Sequence, residues 1–468
     1  MTRRAGRQKE VASAAMETTA STRGLPRAAK GVPLLGALPQ LLADPAALAL
    51  AIMRETDDVV PLKLGPATVF FVHHPDHLRY MMLENYKNYS KGPLFARADI
   101  LVGDGLVVSH GDAWMRQRRL MSPPFSSQRL AKIVPVVSEV ASERLERWRR
   151  AGGGVFEMWQ EMSGITMSAL LKTIFATSMD EAKIARFVSA FDAVVEHMNI
   201  RGPTFFLPDW FPLPGRSKAL AGRAELHSMI DSIVRERRAQ GTQGDDLLSL
   251  LLNAKDDDGS GMSDELLRDE IKTAVFGGYD STAVGLAFTL YLLTTHPESA
   301  RKARDEVLRV APAGPLTMEK VAELDYVGRV FQEALRLYPP LSFHPRMALE
   351  DDTIGTRRIP AGSTLLYSNY APGRNPAFWQ HPDSFFPDHF LPAEVAKRHR
   401  FAYQPFAAGP RVCIGMNLAI MEAKVVLALI LRDYDLVRAV STPIMQARFG
   451  TTRAKGGVWL DVRPRASR

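Results

Sequence analysis

The sequence predicts a mostly α-helical fold with small β-sheets. Three observations carry that prediction. Apolar residues recur at i, i+3, i+4 spacing over long tracts, β-patterned runs are short and confined to two regions, and one helical tract is long enough to cross a large domain.

Taken in chain order, Val59 to His73 (VVPLKLGPATVFFVH) reads as two β-rich runs broken at Gly65-Pro66, a hairpin. Ser127 to Arg150, Met158 to Thr177 and Arg216 to Arg238 carry the helical period. Arg201 to Gly215 (RGPTFFLPDWFPLPG) holds too many prolines for regular structure and reads as an apolar loop. The longest helix starts at Ser263, an N-cap residue followed by Asp264 and Glu265, which favour the positive helix end. Proline stops it at His296-Pro297, so about 30 residues span ~45 Å. Its middle, Phe276 to Ala283 (FGGYDSTA), contains two adjacent glycines, each costing about 1 kcal/mol relative to alanine. Leu341 to Tyr370 is β-like again, with a turn at Pro360-Ala361-Gly362. Proline-rich coil follows through Leu391, and a last helix covers about Met416 to Asp433.

With 468 residues, 46% of them hydrophobic, the chain can bury a large core, and no Gly/Ser/Pro-rich linker divides it. We read one domain over residues 31–468, preceded by a disordered basic tail over residues 1–30. No stretch of about 18 uninterrupted apolar residues predicts a membrane span. One cysteine excludes an intramolecular disulfide and suits a reducing, cytoplasmic setting. A net charge of +8 without a Lys/Arg tract interleaved with aromatics predicts no nucleic-acid groove.

The lone cysteine sits in Phe406 to Gly415, FAAGPRVCIG. A thiolate iron ligand needs a negative sulfur on a rigid loop with backbone N–H groups turned toward it. Gly409 and Gly415 permit the tight turns, and the helix starting near Met416 sets its positive end beside Cys413. Phe406 is placed to cover the ligand from water, and Arg411 to meet a haem carboxylate.

This loop closely resembles the F-x-x-G-x-R-x-C-x-G pattern of the cytochrome P450 family, and the resemblance extends from about Leu34 to the C-terminus. Glu333-Ala-Leu-Arg336 matches the family's structural E-x-x-R pair. The segment it braces, usually F-x-P-x-R-F, reads Phe385-Phe386-Pro387-Asp388-His389-Phe390, so His389 stands where arginine is usual and cannot form a bidentate fork. Trp114 and Arg118 match W-x-x-x-R, and Arg346 a second propionate-binding position. His344 beside it reads as an ordinary loop histidine.

Gly277-Gly278-Tyr279-Asp280-Ser281 matches the oxygen-activation motif. Small residues leave room for dioxygen, a hydroxyl bonds the carbonyl four residues back, and the carboxylate relays protons. Ser281 replaces the usual threonine and lacks the methyl that fixes its rotamer, so some uncoupling is expected; Thr282 is a second candidate for the role.

The resemblance implies the triangular P450 prism holding haem b between the long helix and the Cys loop. It implies a monooxygenase that inserts one atom of O2 into a hydrophobic small molecule of the fatty acid, terpenoid, steroid or polyketide class. Electrons are expected from a separate ferredoxin with its reductase, or a flavodoxin. Arg116, Arg119, Lys397, Arg398 and Arg400 are the candidate docking patch, solvated charges being the other reading. The walls over the haem are expected from Pro93–Leu106, Phe205–Phe211, Ala274–Gly278, Leu341–Phe343 and Phe449. A peroxide-using or non-oxygenating enzyme and a haem-binding sensor remain as alternatives.

Overall fold

The computed structural model describes residues 26–465 except 93–94, 96–97, 176–180, 202–206, 208–210, 243, 245, 441–444 and 447–450. The tail expected over residues 1–30 lies outside the described residues up to residue 25. Arg27–Lys30, expected as part of it, is instead a helical turn with Ala29 buried, and Arg27 N–H donates to Glu55 Oε2 at 2.6 Å.

The main helices are α1 (Pro45–Glu55), α2 (Gly111–Met121), α3 (Ser127–Arg150), α4 (Met158–Phe175), α5 (Glu181–Arg201), α6 (Arg216–Gln240), α7 (Asp264–Thr295), α8 (Pro297–Val310), α9 (Asp325–Leu337) and α10 (Met416–Asp433). The central element is α7. Ser263 caps it by accepting from Leu266 N–H at 3.2 Å, and the chain breaks at His296-Pro297, as the local signals predict. From Thr282 to Leu290 every residue of α7 is buried, packed against α4, α9 and α10 in the largest apolar core. Such an all-round apolar stretch has no amphipathic stripe because it has no solvent face.

The strands are short; β6 (Asp352–Ile354) pairs with β7 (Arg357–Ile359), and β10 (Met445–Gln446) with β11 (Ala454–Lys455). The expected hairpin forms as β1 (Val60–Leu64) and β2 (Ala67–Val72), antiparallel with Val60 opposite Phe71. It joins β3 (Tyr89–Ser90), β5 (Phe343–Ala348) and β8 (Thr364–Ser368) in a five-stranded sheet of order β1-β2-β8-β5-β3. Only β2 and β8 run parallel there. On β5, His344 and Arg346 are two residues apart and so share a face. A second sheet, which the sequence reading did not foresee, sets β12 (Trp459–Pro464) between β4 (Gly154–Glu157) and β9 (Tyr434–Arg438).

Candidate active site

The Cys loop is built by backbone demands. Cys413 N–H donates to Phe406 O at 2.9 Å, closing the loop on itself. Gly409 has φ +67°, and a Cβ there would lie 2.0 Å from Met82 O, so no other residue fits. The Cys413 side chain opens onto a cavity of about 960 Å³ that reaches across to α7. Burial pushes its thiol above the ordinary value, while Gly415 N–H, Arg118 and Lys91 pull it down. The helix end and cations therefore oppose desolvation without outweighing it, and the ionised sulfur expected from the sequence requires a cation at the sulfur itself.

The structure brings the sequence-predicted residues together. Trp114, Arg118, Phe406, Arg411, Cys413, Asp280, Ser281 and Thr282 all line this cavity. Arg118 donates to Val412 O at 3.1 Å, and Arg411 donates to Ser109 O at 3.0 Å with its guanidinium 4.5 Å over the Trp114 ring. Arg346 is buried behind the wall, 5.2 Å over the Tyr367 ring. Lys91, which the sequence reading missed, joins them: burial lowers its ammonium well below the ordinary value, and Arg346 and Arg411 lower it further. Among the described residues none of these four basic side chains is paired with a carboxylate; the three arginines make the wall positive, and burial beside them disfavours the charge on Lys91 until an anion arrives. A flat macrocycle bearing two propionates beside a thiolate-ligated iron fits that set of donors.

His344 is not a loop histidine. It lies in β5, buried, stacked on Tyr367 at 4.8 Å and bonded through Nε2 to Asn369 at 2.8 Å. Burial, then Arg346 and Lys91, lower it well below the ordinary value, so it is neutral.

On α7, Ser281 Oγ donates to Gly277 O at 2.7 Å, as the sequence predicts. A Cβ at Gly278 would meet Leu170 Cδ2 at 3.1 Å, whereas one at Gly277 would meet nothing within 4 Å. Gly278 therefore serves packing, and Gly277 keeps space open. Asp280 is 8% exposed and is no surface acid. Its Oδ1 accepts from Trp159 Nε1 at 3.0 Å and faces Arg453 Nη2 at 2.8 Å.

The Glu333–Arg336 pair is fully buried and bidentate at 2.7 Å. Arg336 also donates to the carbonyls of Gly373, Pro382 and Ser384, and Glu333 Oε1 accepts from Phe386 N–H at 2.8 Å. His389 keeps arginine's contact by placing Nδ1 3.0 Å from Glu333 Oε1 and Nε2 2.6 Å from Gln380 O.

Most residues of the expected docking patch make contacts within the chain. Arg116 and Arg119 both clasp Asp256 at 3.0 and 2.9 Å, and Arg116 also donates to Ser260 and Gly261. Lys397 pairs with Glu394, and Arg398 lies 3.7 Å over Trp379 while donating to His389 O. Arg116 and Arg398 are half-buried, whereas Arg119, Lys397 and Arg400 remain exposed. Of the expected cavity walls, Leu106, Ala274, Leu341 and Phe343 are in place. The Phe205–Phe211 loop, apart from Leu207 and Phe211, and Phe449 lie outside the described residues. Among the described residues no helix is long and apolar enough to cross a membrane.

Comparison with known proteins matches the family model Cytochrome P450 to residues 26–457. The chain is 31% identical over 407 residues to cyclooctat-9-en-7-ol 5-monooxygenase of Streptomyces melanosporofaciens, covering 86% of this chain and 88% of that one. It is 31% identical over 436 residues to human cytochrome P450 4F12, covering 86% and 82%. The crystal structure of the cytochrome P450DA heme domain superposes with TM-score 0.85 at 28% identity, over 93% of this chain and 96% of that chain.

Proposed function

Because the chain belongs to the cytochrome P450 family and is a monooxygenase of it, we propose that Cys413 ligates the iron of haem b and that Asp280 and Ser281 deliver protons to oxygen. One observation carries this reading: the sole cysteine opens onto a large cavity whose other wall is the Gly277–Ser281 segment and whose lining includes Lys91, Arg118 and Arg411, with Arg346 buried behind them. Haem, when bound, supplies the reduction and splitting of dioxygen.

The chain's own residues do the rest. Lys91, Arg118, Arg346 and Arg411 neutralise two carboxylates in a site where water cannot. Phe406 shields the sulfur. Gly277, which carries no side chain, keeps the cavity open beside Ser281. The Ser281 hydroxyl, spending its hydrogen on Gly277 O, keeps its lone pairs for a water hydrogen bond. Asp280 holds and passes a proton one residue away, and Thr282 offers a second hydroxyl on the same wall. Over a turnover two electrons and two protons are consumed, one oxygen atom enters the substrate and the other leaves as water.

The cavity's volume and mainly apolar lining support a hydrophobic substrate of terpenoid or fatty-acid size. The net charge of +8 supports a separate acidic electron carrier, a ferredoxin with its reductase or a flavodoxin. The lone cysteine supports a cytoplasmic setting.

The test is spectroscopic and catalytic. The reduced protein plus carbon monoxide will give the thiolate-type difference band, and Cys413→Ala will lose it. With surrogate ferredoxin partners and a lipid and terpenoid panel, the wild type will convert NADPH and O2 into hydroxylated product. A pigment without thiolate character would sink the reading.

A further inference from the structure

Asp280 is held by two side chains that no local motif contains. Trp159 Nε1 donates to Oδ1 at 3.0 Å, Arg453 Nη2 meets the same oxygen at 2.8 Å, and the guanidinium lies 3.7 Å over the Trp159 ring. With both contacts on one oxygen, the carboxylate cannot turn without breaking two hydrogen bonds, one of them charge-assisted.

Arg453 also stands between two cavities. It lines the large one together with Asp192 of α5, Asp280 and Ser281. It lines a second one of about 290 Å³ as well, together with Trp159, Glu157, Gln160 and Thr452. Its other terminal nitrogen, Nη1, is buried with no partner among the described residues. A buried N–H left unpaired costs free energy, and water reaching it from the second cavity would remove that cost. The closed pair carries that cost, which a shifted guanidinium hydrogen-bonded to water would shed.

We propose that Arg453 and Trp159 are positioning residues for Asp280, and that the Arg453 side chain is a movable partition that admits water from the second cavity to the carboxylate. This rests on the reading above that Asp280 relays protons. The guanidinium itself stays charged and transfers nothing. When the pair parts, water in the second cavity carries a proton, taken up from hydronium or buffer acid in the bulk, to the Asp280 carboxylate and remains water. The carboxyl then passes that proton on toward the Ser281 hydroxyl and is regenerated as carboxylate. When the pair is closed, water is kept from the oxygen face, which suppresses peroxide release. Asp192 across the cavity supplies a second carboxylate to Arg453. Burial and then Asp280 push the Asp192 carboxyl above its ordinary range, and Arg453 opposes them.

The experiment uses three variants of the haem-loaded protein. Arg453→Gln removes the charge, Arg453→Lys keeps it without the fork, and Trp159→Phe keeps the ring without the N–H. Without turnover, the Trp159 indole signal in ¹⁵N-tryptophan-labelled protein, identified by its loss in Trp159→Phe, will shift in Arg453→Gln. In turnover, Arg453→Gln and Trp159→Phe will raise the peroxide-to-product ratio by about tenfold, in the range of one misplaced proton-transfer group. Their solvent deuterium isotope effect on product formation will change too, with Arg453→Lys intermediate. The optical substrate Kd will stay within about twofold, below the ~1.4 kcal/mol that a tenfold change represents. An unmoved indole signal with an unmoved peroxide ratio in Arg453→Gln overturns the proposal. So does a loss of product explained wholly by weaker substrate binding. A wild type that makes no product sinks the parent reading instead, and the indole signal still decides the clamp.

Discussion

Ser281 Oγ donates its hydrogen to the carbonyl oxygen of Gly277, one turn back along the long central helix, at 2.7 Å. That bond ties a small side chain to the motif's open glycine, and without a β-methyl the serine rotates more freely than threonine would. Ser281→Ala will therefore divert electrons from product to peroxide, with product formation falling by about 10²-fold. Ser281→Thr will lower peroxide below the wild-type level. Equal peroxide yields in all three proteins would remove Ser281 from proton delivery.

The buried Glu333–Arg336 pair supports four backbone groups of the segment ahead of the Cys loop. Removing one partner leaves the other charged, enclosed and unpaired. Arg336→Ala will cost about 3–5 kcal/mol and shed haem during purification. Thermal unfolding and the haem-to-protein ratio measure both effects. A stable, fully pigmented Arg336→Ala protein would show that the pair is dispensable.

Glu270 gives a pH signature away from the cysteine. It sits fully buried on the central helix, accepts from Leu106 N–H at 3.0 Å, and burial pushes its carboxyl up to about 7. An acid raised in the folded state stabilises the fold below its ordinary value near 4.5 and loses that contribution as pH climbs toward 7. The loss is about 3 kcal/mol across that window. Glu270→Gln keeps an oxygen for Leu106 and abolishes the slope. Urea unfolding of both proteins from pH 5 to 8 will give curves that converge at low pH and diverge as pH rises. Parallel curves would refute the assignment.

Lys91 and Arg346 are predicted to hold haem carboxylates, each through charge-assisted hydrogen bonds worth about 1.5–3 kcal/mol. Lys91→Gln and Arg346→Gln will each weaken haem retention by roughly 10- to 100-fold, read by transfer of haem to an apo-globin acceptor. Unchanged transfer rates would place the carboxylates elsewhere.

Much of this was legible because its signals are local. Ser263, Pro297 and the Cys413 loop act within a few residues of themselves, and the helix Ser127–Arg150 forms over its predicted span. Thiol, Trp114, Arg118, Asp280 and Ser281 line one cavity, as the family resemblance implied. What stayed hidden is made by distant partners. Trp159 reaches Asp280 across 121 residues, and β4, only four residues long, is a strand by virtue of its pairing with the distant β12. Lys91 sits in no periodic pattern at all. Arg116 and Arg119 looked free because nothing in their own helix reveals Asp256.

Basic side chains gathered along one cavity, Lys91, Arg118 and Arg411 with Arg346 behind them, also bear on how the protein comes together. Their mutual repulsion is a debt carried by the polypeptide before any pigment enters, and screening ions relieve it. Pigment-free protein will therefore melt at a temperature that climbs with ionic strength, whereas the loaded form, its positive wall answered by carboxylates, will be nearly indifferent to salt. Maturation of this oxygenase is then an electrostatic neutralisation as much as a ligation.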